Sequence, residues 1–409
     1  MKSNFQYILA ILILALIVTS CEKTVEVSAE LPICQDCGEP NHFLDDNGEL
    51  YISYIKYLTQ FVDELRYRKF SNGEWSKEHS IASGEDWFVN WADFPSFSKT
   101  NQFMAAHWLQ KSDEGAYDYD IHVSTSKTGT DWSNSFTIHR DSISAEHGFV
   151  SMLPYGERIF ATWLDGRNTK HVDDDLKKHR DHNHAGSMTL RAAFFNEKGE
   201  LSEEQELDQR ICDCCQTAAC ETDSSIIVAY RDRSESEIRD ISRVVYNKNT
   251  KQWSDSAPIH VDGWNTSGCP VNGPSLSSLK NQIACGWFTL AQGQERLKLS
   301  ISKDQGYNFS PALTIDSTGV LGRVDVEWID ESRLCLAYLK EENDEGILAI
   351  KIYDQLKNKI SSVIDLPMDV DRSSGFPRIS VQNNRLYLSY VKTGDSKSIV
   401  HQSFPLLPN

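Results

Sequence analysis

Beyond its N-terminus, the 409-residue sequence has no apolar run approaching the ~20 residues a bilayer crossing needs, and no amphipathic helix of ordinary length. Basic residues are also scarce: 41 Lys and Arg stand against 59 Asp and Glu, a net charge of −18. That balance repels nucleic acid and anionic headgroups and excludes both as electrostatic partners. The chain is too long for a small stapled module and ample for one large repeat fold or two domains.

The N-terminus reads "MKSNFQYILAILILALIVTSC", with Lys2, an apolar run from Tyr7 to Val18, and the small residues Thr19 and Ser20 directly before Cys21. This is the pattern of a signal peptide over residues 1–20. Its ending resembles the lipobox of bacterial lipoproteins, which implies lipidation of Cys21 and a membrane-anchored protein of the cell envelope, periplasmic or surface-exposed. Such a compartment is oxidising and permits disulfides.

The remaining sequence repeats itself with a period of roughly 50 residues. A short strand recurs as "LYISY", "MAAHW", "IFATW", "IIVAY", "IACGW", "LCLAY" and "LYLSY", ending at Tyr54, Trp108, Trp163, Tyr230, Trp287, Tyr338 and Tyr390. Apolar residues fill the positions before each aromatic, as in a strand buried on both faces. A second column, Trp75-Ser76, Trp132-Ser133, Leu201-Ser202, Trp253-Ser254, Phe309-Ser310 and Ile360-Ser361, opens a strand after a polar turn. Short strands at this period predict an all-β propeller of seven blades, with six as the alternative, over residues 31–409. Labelling strands A to D from the centre outwards, the last repeat lacks its D strand. The alternating "TVEVSAEL" (24–31) is expected to supply it and close the ring, within an anchored segment at 21–30.

"SKDQGYNF" (302–309) fits S-x-D-x-G-x-x-W/F, and "SKTGTDW" (126–132) is a degraded copy without the aspartate. Both resemble the Asp-box (BNR) turn of the sialidase superfamily, in which the aspartate ties the turn's own backbone together. With "ICDCCQTA", "AYRDRSESEIRDIS", "GCPVNGPSL", "GRVDV" and "GFPRI", the chain resembles a sialidase-like family of bacterial exported proteins. The resemblance implies a propeller directed at carbohydrate, with a glycan or small-molecule ligand. Glycoside hydrolysis of acidic glycans is one reading, a metal or redox propeller using the clustered cysteines a second, and a binding scaffold without chemistry a third. Sialidases hold the substrate carboxylate with three arginines, the first in an Arg-Ile-Pro motif, and use a Tyr–Glu nucleophile pair with an aspartate acid/base. The first unit here reads "EPNHF" and has no such arginine.

In this strand order, the D-to-A and B-to-C loops share one face at the channel mouth. Arg231, Arg233, Arg323 and Arg378 are placed there as candidates to bind a sugar carboxylate or sulfate, or to form inter-blade salt bridges. Asp93, Glu146, His147 and Asp325 are the candidate acid/base groups. Trp264, with Trp87 and Trp91, is placed to stack on a sugar ring or to pack against a blade. Six cysteines, Cys34, Cys37, Cys212, Cys214, Cys215 and Cys269, are expected on the same face. They fit disulfides tying the first unit to the fourth and fifth, a copper(I) or zinc site, or a redox pair. Cys220, Cys285 and Cys335 read as core thiols. An insertion carries His171, His179, His182 and His184 with Asp173, Asp174, Asp175 and Asp181, either a polar surface loop or a metal-binding one. A monomer is expected.

Overall fold

The computed structural model describes residues 28–170 and 186–406; the signal segment, Cys21 and the His/Asp-rich insertion lie outside the described residues. Seven antiparallel sheets of four strands each form the blades of a ring, two of them carrying one short extra strand. The inner strands are Cys37–Leu44, Phe97–Lys99, His147–Tyr155, Ala218–Glu221, Ser275–Leu279, Val320–Asp330 and Arg378–Gln382. Leu31–Gln35 supplies the outer strand of blade 7, pairing with Ser398–Pro405. The ring is therefore closed by an N-terminal strand whose described part is Leu31–Gln35; residues 24–27 of the expected strand lie outside the described residues. Among the described residues, no helix is long and apolar enough to cross a membrane.

The aromatic that ends each second strand explains the first repeat column. All seven are buried, Tyr54, Trp163, Tyr230, Trp287 and Tyr338 at 0% exposure. A buried hydroxyl or indole N–H needs an acceptor. Tyr230 donates to Asp208 at 2.5 Å, Trp287 to Asp262 at 2.7 Å and Tyr338 to Asp316, each carboxylate coming from the outer strand of the preceding blade or the loop that leaves it. The core is accordingly a set of apolar clusters between neighbouring blades. One joins Phe160 and Phe194 of blade 3 to Tyr230 and Tyr246 of blade 4. Cys220, Cys285 and Cys335 pack in such clusters as small apolar side chains.

The serine column has an equally local cause. Ser76, Ser133, Ser254 and Ser310 each donate a backbone N–H to the neighbouring third strand, at Lys69, Thr125, Val245 and Ile301. Each hydroxyl accepts the N–H of that same residue at 3.0–3.1 Å. In the 302–309 turn, Asp304 accepts from Asn308 N and from the hydroxyl of Ser302, while Ser302 Oγ accepts from Gly306 N. Gly306 lies at φ +91°, where a Cβ would fall 2.5 Å from Ile227. In the shorter 126–132 turn, Thr128 Oγ1 takes over the acceptor role, receiving Thr130 N and Asp131 N.

Hydrogen bonds also run from blade to blade around the whole channel. Asn41 donates to Pro95 O, Ser96 to Val150 O, Ser151 to Thr217 O, and Gly273 N to Gln216 Oε1. Ser275 Oγ donates to Asp325, Ile379 N donates to the other Asp325 oxygen, and His42 meets Ser380 Oγ across the closure. These inner-strand groups surround a channel cavity that is also lined by larger side chains such as His42, Glu327 and Arg378.

Candidate functional site

The blade-to-blade ring determines what the loop-face residues are free to do. Asp325, expected as an acid/base group, is 9% exposed and accepts from Ser275 Oγ and Ile379 N, while Ser275 Oγ in turn accepts Val326 N. Asp93 stands in the matching place between blades 2 and 3, its Oδ2 accepting Phe149 N at 2.9 Å. Burial pushes its carboxyl up to about 8, and Oδ1 has no hydrogen-bond partner among the described residues. Both aspartates join neighbouring blades; the oxygens of Asp325 are both engaged there, while Asp93 bonds through Oδ2 alone.

The arginines do not converge on an open pocket. Arg231, 2% exposed, donates to the carbonyls of Arg239, Asn272 and Phe288 at 2.7–2.9 Å, under the ring of Trp264 at 4.8 Å. Trp264 is itself buried against Phe288, so it offers no face to a sugar. Arg323 donates to Asp371 O, Ser374 Oγ, Gly375 O and Val370 O, its guanidinium 4.6 Å from the Trp91 ring. Asn272 Oδ1 holds the Arg323 N–H at 2.7 Å, and Arg323 sits at φ +52°. Arg233 pairs with Glu237 and Asp213. Arg378 lies 3.8 Å from both Asp325 Oδ1 and the Phe94 ring centre, lining a channel cavity of about 380 Å³. The "YRDR", "GCPVNGP", "GRVDV" and "GFPRI" motifs thus meet as one lattice, in which Arg231 and Arg323 serve backbone carbonyls, whereas Nε and Nη2 of Arg378 have no hydrogen-bond partner among the described residues. Trp87 stacks on Trp108 at 5.3 Å, a packing role.

A different constellation faces outward on the loop side. A cleft of about 690 Å³ between blades 7, 1 and 2 is walled by Tyr57, Phe88, Trp91 and Tyr117. Its charged groups are Glu39, Asp63, Arg372 and Lys397. Tyr117 is 60% exposed, an aromatic held in solvent by the B-to-C loop of blade 2. Tyr57 donates to Glu39 at 2.6 Å, and Lys397 lies 3.8 Å from the same carboxylate. Behind the cleft, Phe88 stacks on Tyr119 at 4.0 Å, and Tyr119 donates to Glu146 at 2.9 Å. Burial pushes Glu146 up to about 7, and the Asp213 carboxylate acts in the same direction. Phe88 and Val89 also wall a small void with Asp93 on its far side. Among these residues the sequence singled out Trp91, Asp93 and Glu146. Tyr117, Phe88, Tyr119 and Lys397 fall outside both repeat columns, and an exposed aromatic in the B-to-C loop was the one available signal.

His147, expected as an acid/base group, is 0% exposed in a cluster with His139, Asp120, Asp141 and Asp165. Burial opposes its charge, but hydrogen bonding to Asp141 and Asp165 prevails and raises it to about 9. Donor atoms here lie close enough together for a metal ion. The rings, however, are parallel within 4° with centroids 3.8 Å apart. An imidazole binds an ion in its own plane, and two stacked planes share no such point. The stacking excludes the Asp120, His139 and His147 set; the Asp141, His147 and Asp165 set is paired with Arg167, 2.7 Å from Asp165 and 3.0 Å from Asp141, as an ion-pair network.

The six loop cysteines separate into two groups. Cys34 and Cys37 form a disulfide between the closing strand and the first inner strand. They take no part with the others, which corrects the expected set of six and the expected tie to the fourth and fifth units. Cys212, Cys214 and Cys215 cluster with free thiols, and Cys269 adjoins Cys214.

No family model and no curated protein matches the sequence. The fold is that of a seven-bladed propeller, and solved structures share it. It aligns with the polysaccharide lyase Uly1 at 8% identity and TM-score 0.54, over 90% of each chain. It aligns with an ulvan lyase of polysaccharide lyase family PL25 at 10% identity and TM-score 0.54, over 91% of this chain and 95% of that one. NanB sialidase from Streptococcus pneumoniae aligns at 12% identity and TM-score 0.46, over 93% of this chain and 70% of that one. At these identities the likeness establishes the architecture.

Proposed function

We propose that the protein is a carbohydrate-directed propeller of the cell envelope that holds an acidic glycan in the loop-face cleft. The observation that carries this reading is the cleft itself, where the exposed Tyr117 stands beside Trp91, Phe88 and Tyr57 with Lys397 and Arg372 at the rim. Aromatic faces suit the apolar faces of sugar rings, and fixed cations suit a carboxylate or sulfate. The shared fold supports the reading, since the PL25 ulvan lyase has also been solved with -[GlcA(1-4)Rha3S]- bound, aligning at TM-score 0.53.

Calorimetric titration with uronate-containing and neutral oligosaccharides tests it. Tyr117→Ala is expected to weaken binding about tenfold, the loss of one stacking contact of ~1.4 kcal/mol. Lys397→Ala should weaken the anionic sugars alone. If no oligosaccharide binds, or if both variants bind like the parent, the cleft is not the site. Glu146 lies behind the Phe88 wall of the cleft, hydrogen-bonded to Tyr119 at 2.9 Å, and Glu146→Gln is expected to leave binding in the cleft unchanged.

The envelope location rests on Cys21 following the signal-like segment. Cys21→Ser is expected to move the protein from the membrane fraction to the soluble one; retention in the membrane fraction would count against the anchor.

A further inference from the structure

The loops entering blades 4 and 5 bring together four sulfurs from two separate stretches of chain. Cys212 and Cys215 are buried, Cys214 is half-buried and Cys269 is exposed at the rim. Sγ of Cys212 lies 3.7 Å from Sγ of Cys215, and the Cys212, Cys214 and Cys215 sulfurs all fall within 4.8 Å of one another. Cys269 adjoins Cys214 from the second loop but stands outside that set of three, so it has to swing inward to complete four ligands.

The scaffold around them is fixed. Cys212 N donates to Arg231 O at 3.0 Å, and Gly273 N donates to Gln216 Oε1 at 3.1 Å, pinning the two loops next to Cys215 and near Cys269. Arg239, 2% exposed, donates to Cys212 Sγ at 3.1 Å, so this sulfur is presented as an acceptor.

We infer that Cys212, Cys214, Cys215 and Cys269 form a tetrathiolate site for one zinc(II) ion, clasping the loops before blades 4 and 5. With Zn–S bonds of ~2.3 Å, the edge of a tetrahedron is about 3.8 Å, and Cys212 and Cys215 already stand at 3.7 Å. Each ligating thiol releases its proton to solvent, so the closed site carries two negative charges. Arg239 on Cys212 and the buried Arg231 beside it offset that charge. Four sulfurs match the preference of zinc for four ligands, and a set with no open position is structural. Adjacent Cys214 and Cys215 cannot readily bond to each other, whereas two neighbouring sulfurs can share an ion. The site goes beyond the glycan reading, because nothing in the cleft at Tyr117 depends on it.

Metal analysis of the purified full chain by mass spectrometry is the test. We expect about one zinc per chain, falling below about 0.1 in Cys212→Ser and Cys269→Ser and unchanged in Cys285→Ser. Cobalt(II) exchanged into the parent protein should give the intense visible bands of a tetrahedral thiolate, a readout that needs no variant. Alkylation should leave these four thiols unmodified until a chelator and denaturant are added together. A metal-free chain whose peptide map joins Cys214 to Cys269, or Cys212 to Cys215, by a disulfide overturns the inference. Copper in place of zinc overturns the choice of ion and, with it, the closed four-sulfur geometry.

Discussion

Arg231→Ala is expected to lower the free energy of unfolding by about 3–5 kcal/mol, a loss read directly from a denaturant titration. The guanidinium is 2% exposed, and its donors are taken up by three backbone carbonyls, at Arg239, Asn272 and Phe288. Removing it strands all three carbonyls in a space that water cannot readily enter, and opens a cavity under Trp264. Arg231→Met restores volume but no donors and should recover the smaller part of the loss. Arg231→Lys presents one ammonium where a planar fork spans blades 4 and 5, and should also fall short. A sialidase-like arginine would behave otherwise, weakening ligand binding while the fold kept its stability. A stability change under about 1 kcal/mol for the alanine variant would defeat the structural assignment.

The same arginine shows how far the sequence could be read. The two columns ending in Tyr230 and beginning with Trp253-Ser254 have physical causes that repeat: an aromatic tip needing a carboxylate, and a serine clasping the next strand. Repetition made seven blades legible. Whether Arg231 faced a ligand or a carbonyl depended on Asn272, 41 positions away in a different blade, and no local pattern carries that pairing. The closing strand was legible as a need, because blade 7 lacked an outer partner. Its described part, "LPICQ", alternates less well than "TVEVSAEL", and its Pro32 and Cys34 flank a register shift. The six cysteines read as one set in the sequence, but Cys34 and Cys37 bond to each other where blade 7 meets blade 1, and only Cys212, Cys214 and Cys215 cluster closely. Tyr117 and Lys397 belong to B-to-C loops, where each blade differs from the next, and so they left no periodic trace.

Raising the pH from about 5 to about 9 is expected to destabilise the protein by on the order of a few kcal/mol, with the midpoint in urea falling steadily across that range. Four buried carboxyls carry most of this effect. Desolvation raises Asp93 and Glu327 to about 8, Glu146 to about 7 and Asp232 to about 6. Each keeps its proton in the folded chain after the unfolded chain has released it near pH 4, so its contribution is fully present below that point and declines until the folded value is passed. His147 acts with the same sign. Raised to about 9 by Asp141 and Asp165, it contributes stability that is complete below about 6.5 and lost as pH rises through 9. Those two aspartates are themselves held well below the usual carboxylate range against the cost of burial, Asp141 by His139 and His147, Asp165 by His147 and Arg167. Their contribution is present above about pH 4 and disappears only in acid, which sets the other limb. The net charge of −18 at pH 7 adds self-repulsion that eases as carboxyls protonate. Asp93→Asn keeps the acceptor for Phe149 N and removes one ionisation, so it should lessen the slope between pH 5 and 8 by the share of Asp93 alone, leaving the shares of Glu327, Glu146, Asp232 and His147. An unfolding midpoint that stays level or rises from pH 5 to 9 would show that these carboxyls are not held neutral in the folded ring.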